Sequence, residues 1–561
     1  MFIPPGEKII ETCICKHCQK TFDITDGDIK FYETMEVPSP TWCPECRLMR
    51  QMAWCNEWVM YANECFISKK ALISVFPKTD ERKVISPQVF FSDDYNPLKY
   101  GRKIDWNRSI FAQIHDLERS MPHLYAATSS NNENSDYVHR ADYLKNCYLI
   151  FHANYDEDCY YGYGIKKSKN CMDNHYCHES NFCFECIDVK KCNNMNWCQN
   201  CENCASCSFC RDCVGCHDCF LSTGLRNKTH YFMNEACTSE EYSLKLKKFN
   251  MGSYSHVQKT KQLLGALEQK NSFKNLNTIS TDNSFWDNLL YTKNAWHCFD
   301  CSEIEDCKYC YQLQYWVKNC YDIYQFWISQ DHCIECAMIW INVSNCKFCY
   351  SCKDSVADLE YCMNSFHSRN CFGCQGLKKH QNCILNKQYT AEEYKMLRWK
   401  IIEKMKADGE WWEFFPIQFS ESCYNETIAQ QWFPKTKEEV LALWWRWQDN
   451  LPWTYGQETI TNLPDDIRDA TPDIVKWICK CETCSKNYRI IPQELDYLYK
   501  NSLPLPRECF DCRRKRRFEK RNKRIMRDIN CAECEKIVPT TYALSFPGRI
   551  CCEECYRKLV Y

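Results

Sequence analysis

The cysteines at the two ends of the chain have the spacing of metal ligands. Residues 13–65 match residues 479–531 at a constant offset of 466 without a gap, and both copies contain two C-x2-C pairs. Each pair forms one tight turn, and four thiolates close the tetrahedral shell of zinc, which leaves no position for a substrate. The predicted zinc ligands are Cys15, Cys18, Cys43 and Cys46 in the first copy and Cys481, Cys484, Cys509 and Cys512 in the second.

A further element follows each copy. Near the C-terminus, another four-cysteine set predicts a small zinc ribbon with the ligands Cys531, Cys534, Cys552 and Cys555. The first copy keeps Cys65, but Ser68 stands where the second ligand would be. We therefore expect about three zinc ions per chain and a first ribbon that is held by apolar packing without zinc. Cys13 and Cys479 lie outside both four-ligand patterns and are either spare ligands or buried thiols.

Short helices should position these ligands. Thr25 with Asp28 forms a capping-box pattern in the first copy, and Pro492 marks a helix start in the second. A helix is also predicted after the second C-x2-C pair of each copy. A knuckle, a linker and a second pair that opens a helix make up a treble clef.

These modules resemble the zinc-ribbon, or treble-clef, family of short bacterial proteins, whose pattern is C-x2-C, FY, P-x-x-C-x2-C-R. The resemblance covers about 35 residues of each copy. It implies structural zinc and no known activity.

The helices after the two treble clefs differ in charge. Residues 513–524 read RRKRRFEKRNKR, whereas the matching stretch from Arg47 reads RLMRQMAWCNEW. We expect the first helix to face a core and the second to face water or a polyanion, with phosphate contacts to RNA or DNA as the functional interpretation and a solvated helix as the alternative. The candidate nucleic-acid contacts are Arg513, Arg514, Lys515, Arg516, Arg517, Lys520, Arg521, Lys523 and Arg524.

The middle of the chain follows a three-residue register. All fifteen cysteines from Cys147 to Cys219 lie on it, and the register positions without cysteine are mostly small or apolar, with Asp156 the clearest exception. A second period of twelve places Asn or Asp before cysteine, which favours turns. We expect narrow β-helix coils that bury one residue in three, similar in spacing to insect antifreeze proteins.

A second block, from Cys298 to Cys374, repeats the pattern with thirteen-residue steps. Both blocks end in a capping box, Thr238 with Glu241 and Thr390 with Glu393. Three roles remain open for the coil thiols: reduced filler of a thin core, ligands of zinc or another soft metal between Cys198 and Cys219, or disulfide ladders.

The predicted fold is mainly β with α, with two narrow parallel β-helix-like blocks of 12–13 residues per coil flanked by treble-clef zinc modules and helical segments. Aromatic residues of the tryptophan-rich segment are expected to cover an open end of a coil block. The predicted segments are a treble clef (1–64), a degenerate ribbon (65–110), a linker (111–134), coil block 1 (135–225), a helical insert (226–295), coil block 2 (296–385), a tryptophan-rich helical segment (386–470), a second treble clef with the basic helix (471–530) and a zinc ribbon (531–561).

Across its whole length, the chain resembles uncharacterised cysteine-rich proteins of candidate-phylum bacteria. The shared motifs are the FY and CPEC module, the NCY and DCYY coils and LNKQYTAEEY. This resemblance supports the architecture and implies no activity.

Composition and motifs bound the function. Lys and Arg number 71 against 73 Asp and Glu, so net charge indicates no partner, and no nucleophile with a base, phosphate loop or dinucleotide fingerprint is present. No signal peptide or membrane span is visible, which predicts a cytoplasmic protein.

We expect a non-catalytic zinc-binding scaffold whose C-terminal module contacts nucleic acid, with ribosomal RNA among the candidates. The alternatives are a cysteine-based metal or redox buffer and a protein-interaction platform along the coils.

Overall fold

The computed structural model describes residues 3–128 and 131–560, and these residues form two compact units. Unit 1 comprises residues 1–125 and 277–449, and unit 2 comprises residues 126–276 and 450–561. The first two residues, the last residue and two residues of the predicted linker lie outside the described residues. Each unit joins one terminal cysteine module to the coil block that is distant from it in sequence.

The coils form a β-solenoid of about 20 turns within residues 139–384, which confirms the predicted fold class. Successive turns pair in parallel, and the register advances by twelve residues from Asn193 to Ala205 and by thirteen from Cys307 to Cys320. Neighbouring strands in such a ladder lie about 4.8 Å apart. The solenoid therefore gains one rung for every twelve or thirteen residues.

A left-handed backbone conformation at every third residue makes the coils narrow. Asn146, Leu149, His152 and Tyr155 have φ values of 53°, 51°, 56° and 58°, and each directly precedes an inward residue. A twelve-residue turn therefore has four short sides and buries four side chains. Because a non-glycine residue in this region costs about 1–3 kcal/mol, ladder hydrogen bonds and core packing must offset many such costs. The sequence signals this only where the corner is Asn or Asp.

Sulfur fills the core of both blocks. The register cysteines are buried, and many of their thiols donate to the backbone carbonyl two residues earlier and to one nine or ten residues later. The Sγ of Cys198, for example, lies 3.4 Å from the oxygens of both Asn196 and Cys207. The structure shows the described cysteines without disulfides. A small apolar thiol with a weak donor suits a core that has room for only four side chains per turn.

The three-residue register also buries its clearest polar exception. Asp156 points inward, is 2% exposed and accepts hydrogen bonds from the backbone N–H groups of Asn154 and Ser168. Burial raises the pKa of this carboxyl well above its usual value. Outside the core, Asn146 bonds to Asn134 and Asp158, one turn below and one turn above. Corner amides therefore stack into ladders along the solenoid.

Unit 2 contains coil block 1, the two helices that follow it in sequence, a treble-clef module and a ribbon. Each coil block ends in an antiparallel hairpin, at Tyr231 with Ala236 here and at Cys383 with Gln388 in unit 1. The strands of unit 2 are His139–Asp142, Phe151–Asn154, His175–His178, Asn181–Phe184, Ile187–Lys190, Asn193–Asn196, Ala205–Arg211, His217–Thr223, Thr229–Phe232, Glu235–Ala236, Ser272–Lys274, Cys479–Lys480, Asn487–Tyr488, Arg527–Asn530, Ile537–Thr540 and Arg549–Cys551. Its helices are Ser239–Leu246, Tyr254–Glu268, Pro492–Lys500, Phe510–Glu519 and Glu553–Val560, with short 3-10 turns at Ile467–Asp469 and Pro472–Lys476.

Unit 1 has the same plan. Its strands are Ile9–Ile14, Thr21–Thr25, Tyr61–Glu64, Ala71–Ser74, Lys83–Ile85, Pro122–Leu124, Thr278–Ile279, Leu289–Leu290, Lys293–Trp296, Cys301–Lys308, Tyr311–Ser344, Val356–Glu360, Arg369–Phe372, Gln381–Ile384 and Lys387–Gln388. Its helices are Asp26–Thr34, Pro44–Met52, Pro87–Phe90, Ile110–Ser120, Ala391–Ala407, Ile428–Trp432 and Lys437–Ala442, with 3-10 turns at Pro97–Tyr100, Ile417–Phe419 and Tyr424–Glu426.

The structure differs from two of the predicted segments. The segment 111–134 is not simply a linker, because Ile110–Ser120 is a helix that buries Ile114 and Leu117. The predicted insert 226–295 is helical only in its centre, since the last parallel coil strand of block 1 is Thr229–Phe232 and coil strands resume at Thr278–Ile279. These outer turns bury residues such as Leu289 in place of cysteine, so the cysteine register does not reveal them.

The tryptophan-rich segment packs against a side of coil block 2 and not across an open end. The ring centroid of Trp411 lies 6.1 Å from that of Phe348 and 6.0 Å from that of Tyr361. Phe348 and Tyr361 belong to successive turns of the coil. Trp411 and Trp412 are buried, whereas Trp399 and Trp444 are 62% and 86% exposed. The outward aromatic side chains of the coils therefore provide a second, larger core outside the sulfur core.

Candidate metal centres and the basic helix

Three groups of four cysteines at the chain ends could hold metal ions, and they are the three predicted sets. In each group all four sulfurs lie within 4.8 Å of one another. The Sγ atoms of Cys18 and Cys43 are 3.7 Å apart, those of Cys484 and Cys509 are 3.6 Å apart, and those of Cys534 and Cys552 are 3.9 Å apart. A zinc–sulfur bond of 2.3 Å implies an edge of about 3.8 Å in a tetrahedron of sulfurs. The donor sets therefore fit tetrahedral zinc.

Local backbone geometry brings each pair of sulfurs together. The residue after the first pair is left-handed in every knuckle, with φ values of 61° at Gln19, 61° at Ser485 and 60° at Glu535. In both treble clefs the second pair opens a helix, with Cys43 and Cys509 as N-caps of Pro44–Met52 and Phe510–Glu519. The positive end of a helix dipole stabilises thiolates. The predicted helix starts at Thr25 and Pro492 are also confirmed.

In each group, hydrogen bonds to sulfur favour the thiolate form of one cysteine, while the pKa of another thiol in the group is raised. The backbone N–H of Cys43 lies 3.2 Å from the Sγ of Cys15, and that of Cys552 lies 3.2 Å from the Sγ of Cys531. A hydrogen bond from Cys46 lowers the pKa of Cys43 to about 5. Burial opposes ionisation of Cys531, but backbone N–H groups of Cys534 and Cys552 lower its pKa to about 6. Metal binding requires the thiolate, so these contacts prepare one ligand in each group, and metal binding must release protons from the others.

The two cysteines outside the motifs lie outside the four-sulfur groups. Cys13 is a strand residue beside the first group, and Cys479 is a buried strand residue beside the second. Burial raises the pKa of each thiol to about 11. Both are therefore held as neutral thiols.

The first ribbon keeps the shape of the last one without its ligands. Tyr61–Glu64 pairs with Ala71–Ser74 as Arg527–Asn530 pairs with Ile537–Thr540. Cys65 is buried at the knuckle, where the backbone N–H of Ser68 lies 3.4 Å from its Sγ. At the offset of 466, Ser86 and Val89 stand at the positions of Cys552 and Cys555, and the neighbouring Ile85 is fully buried.

The coil thiols form one compact group among the described residues, and it is not where the sequence suggested. Cys171, Cys177 and Cys183 have sulfurs within 4.8 Å of one another, whereas no comparable group occurs among the described cysteines from Cys198 to Cys219. The latter thiols donate to backbone carbonyls instead. The geometry favours thiols as packing groups in that region.

The helix Phe510–Glu519 and the turn after it are not uniformly exposed, which corrects the expectation that the basic stretch faces water. Arg513, Arg514, Arg517 and Arg521 are between 2% and 7% exposed. Arg513 and Arg517 both pair with Asp173 of coil block 1, and Arg521 lies 2.9 Å from Asp188. An isolated buried charge is very costly, so these arginines require the carboxylates that the coils supply.

Unit 1 repeats this arrangement with its own helix. Arg47 lies 2.8 Å from Asp322 and Arg50 lies 2.8 Å from Glu335, and both carboxylates belong to coil block 2. In unit 2 the equivalent positions are Arg513 on Asp173 and Arg516 on Glu185, the latter at 2.7 Å. We call this arrangement of two arginines and two carboxylates the arginine clamp.

The arginine clamp can form because the spacing of residues along the helix axis nearly equals the spacing of turns along the solenoid. Residues three apart on a helix are about 4.5 Å apart along its axis, and equivalent residues on successive solenoid turns are about 4.8 Å apart. Two arginines on one helical face can therefore meet two carboxylates on one corner of the coil. Sequence reasoning missed these carboxylates, although Asp173 and Glu185 are separated by one twelve-residue turn and Asp322 and Glu335 by one thirteen-residue turn.

The remaining basic residues are more accessible. Lys515, Lys520 and Lys523 are exposed, and Arg516 and Arg524 are half-buried. The Lys515 side chain is 69% exposed and lies 3.8 Å from Glu519. Of the predicted nucleic-acid contacts, these three lysines are the most available for an external ligand.

Comparisons with known proteins do not assign the chain to a family. No protein-family model and no curated protein matches it. Among solved structures, a protein described as an acetyltransferase from Desulfovibrio desulfuricans G20 aligns with 46% of this chain and 71% of its own length, at 8% identity and a TM-score of 0.10. A TM-score this low carries no argument about fold or function. Within the described residues, no helix has the length and apolar character needed to cross a bilayer.

Proposed function

We propose that this protein is a non-catalytic, zinc-binding scaffold. The observation that carries the proposal is the set of three four-sulfur groups at the chain ends, each with its sulfurs within 4.8 Å. Four thiolates fill a tetrahedral shell, so zinc in such a site stabilises the fold and has no open position for substrate. The sulfur-filled coils act as a rigid wall against which the zinc modules dock. Free thiols throughout that core suit the reducing cytoplasm.

Metal and thiol analysis of the purified full-length chain tests this proposal. We expect three zinc ions per chain and, after unfolding in chelator without reductant, 48 titratable thiols. A Cys15→Ser variant should lose one zinc, whereas Cys13→Ser should keep all three. Fewer zinc ions in the native chain would contradict the scaffold, and a content far above three would favour a metal buffer that uses the coil thiols.

A second proposal concerns the C-terminal module, which we propose contacts nucleic acid. The observation that favours it is the exposure of Lys515, Lys520 and Lys523 together on and just after one helix. Each phosphate neutralised by a lysine releases condensed counterions, so affinity should fall steeply with salt. The buried arginines position this surface by holding the helix against the coil.

Binding to RNA and DNA over a range of salt concentrations tests this contact. We expect a linear fall of log affinity with log salt concentration for the full-length chain. The triple substitution Lys515→Gln, Lys520→Gln and Lys523→Gln should reduce that slope. Absence of binding at low salt, or a slope unchanged by the triple substitution, would remove the proposal.

A further inference from the structure

A cavity of about 330 Å³ lies inside unit 2, beside the end of the basic helix. Its walls come from four elements: coil block 1, the helix Tyr254–Glu268, the turn after Phe510–Glu519 and the C-terminal ribbon. Aromatic side chains, among them Tyr542 and Phe546, form part of the wall. Its volume is in the range of small-molecule sites.

The carboxylates that line the cavity are already paired. Glu185 lies 2.7 Å from Arg516, Glu268 lies 3.2 Å from Arg211, and Glu519 lies 3.8 Å from Lys515. Glu185 also pairs with Lys261. These pairs leave little acidic charge for other cations on the wall.

Two further lysines line the cavity without such partners. Among residues 3–128 and 131–560, no carboxylate lies within 4 Å of the ammonium group of Lys520 or of Lys523, although both border the cavity. Five cations and three carboxylates line the wall in total. The cavity therefore has an excess of positive charge.

Lys520 is the most perturbed of these cations. Its side chain is exposed and borders the cavity. Desolvation, with the charge of Lys261 as the next cause, lowers the pKa of Lys520 to about 8. An anion in the cavity would offset this repulsion and raise the pKa of Lys520 again.

Unit 1 provides an internal comparison for this place in the fold. At the offset of 466, Trp54 stands at the position of Lys520 and Glu57 at that of Lys523. Trp54 is 2% exposed and packs against Tyr350 and Phe415. The carboxylate of Glu57 is buried and accepts hydrogen bonds from two coil side chains. Unit 1 therefore uses these positions for packing, and unit 2 uses them for two cations on a cavity.

We infer that this cavity binds a nucleotide phosphate, with Lys520 and Lys523 as its ligands and the aromatic wall beside the base or ribose. The volume admits one nucleotide and not a duplex. The phosphate belongs either to a free nucleotide or to the 5′ end of a strand. The second source rests on the proposed nucleic-acid contact, whereas the first does not.

Calorimetric titration of the full-length chain tests the inference with three probes: adenosine 5′-monophosphate, a 5′-phosphorylated single-stranded RNA and the same RNA with a 5′-hydroxyl. We expect the monophosphate to bind, and Lys520→Gln and Lys523→Gln each to weaken it about tenfold or more, since a charge-assisted hydrogen bond is lost. Lys515→Gln is the matched control, because Lys515 belongs to the helix that directly precedes Lys520 and does not line the cavity. Because this substitution frees only the exposed Glu519 on the wall, it should weaken binding of the monophosphate far less than either cavity substitution.

A substitution that fills the cavity tests whether the monophosphate binds there, without removing a positive charge. Gly265 lines the cavity from the helix Tyr254–Glu268, and a Cβ at this position would meet no atom within 4 Å. Gly265→Leu should extend into the space, favour the helix and abolish binding of the monophosphate. Affinity should also fall between pH 7 and pH 9 in the unsubstituted chain, as Lys520 loses its proton.

The outcomes separate the cavity from the wider surface. No binding of the monophosphate or of the 5′-phosphorylated RNA at low salt would overturn the inference, as would equal weakening by Lys515→Gln and Lys520→Gln. RNA binding that ignores the 5′-phosphate and the Gly265→Leu substitution would overturn it while leaving the nucleic-acid contact in place. Monophosphate binding without any RNA binding would support the cavity and remove the nucleic-acid contact.

Discussion

Units 1 and 2 share one docking device and differ in what surrounds it. Both place two arginines of a cysteine-capped helix on two carboxylates of adjacent solenoid turns, Arg47 and Arg50 in one and Arg513 and Arg516 in the other. One turn later along the chain, unit 1 buries Trp54 whereas unit 2 places Lys520 on a cavity. The arginine clamp therefore holds the helix in place in both units. The positions that follow the clamp differ, because they belong to the core in unit 1 and line a cavity in unit 2.

The largest expected effect is on zinc content, and it distinguishes the C-terminal ribbon from the first ribbon. Cys531→Ala should remove one zinc ion and unfold the C-terminal ribbon, because each structural zinc contributes apparent binding energy of about 10–16 kcal/mol in small zinc domains. Cys65→Ala, at the matching knuckle of the first ribbon, should leave the zinc content unchanged. Metal analysis of both variants checks this, and loss of zinc from Cys65→Ala would contradict the apolar account of the first ribbon.

The next effect concerns the clamp. Arg47→Met and Arg513→Met should each destabilise their own unit by about 3–5 kcal/mol, because each leaves one buried carboxylate without its arginine. That carboxylate is Asp322 in unit 1 and Glu494 in unit 2, whereas Asp173 keeps Arg517. Hydrogen exchange of the helices Pro44–Met52 and Phe510–Glu519 should show the loss in the substituted unit. Lys515→Met, an exposed change on the same helix, is the control and should cost less than about 0.5 kcal/mol. A similar small cost for Arg47→Met would show that the clamp is not needed for docking.

The third prediction compares the two sulfur cores. Cys207 in coil block 1 and Leu359 in coil block 2 are fully buried at the same register position. Cys207→Leu should cost about 1–3 kcal/mol through overpacking, and Leu359→Cys should cost about 2 kcal/mol through the cavity that it leaves. Urea unfolding measures both, and a stabilising Cys207→Leu would show unfilled space in block 1.

The smallest effect is a difference in pH dependence. Burial raises the pKa of Asp322 from 3.8 to about 7 although Arg47 opposes it, so its stabilising contribution is complete below about pH 4 and is lost as the pH rises towards 7. For Glu185, burial is outweighed by Arg516 and Lys261, which lower the pKa well below 4.5. Its contribution is complete above about pH 4.5 and is lost as the pH falls further.

Acidification from pH 7 to pH 5 should therefore protect the helix of unit 1 more than that of unit 2. In unit 2, Glu185 stays ionised, and burial raises the pKa of Glu494 although Arg513 opposes the rise. Hydrogen exchange corrected for its intrinsic pH dependence measures this difference. The Asp322→Asn variant should lose the response in unit 1. Equal responses of the two helices would contradict the difference between the two clamps.

The sequence determined the periodic and local features of this protein. The spacing of Cys15, Cys18, Cys43 and Cys46 specifies a four-sulfur group, because the ligands of each knuckle are neighbours along the chain. The three-residue register from Cys147 to Cys219 specifies the inward positions, because a solenoid repeats one environment at fixed intervals. Both signals are local, and the structure confirms both.

Only the tertiary structure decided which charges are available. Arg513 and Lys520 belong to one basic stretch, yet Arg513 pairs with Asp173, 340 residues away, while Lys520 borders a cavity. Composition cannot distinguish them, because the partner of a buried charge is set by packing between distant segments. The pairing of each cysteine module with the coil block distant from it in sequence was likewise invisible, since it depends on where the carboxylates of the coil meet the arginines of the helix.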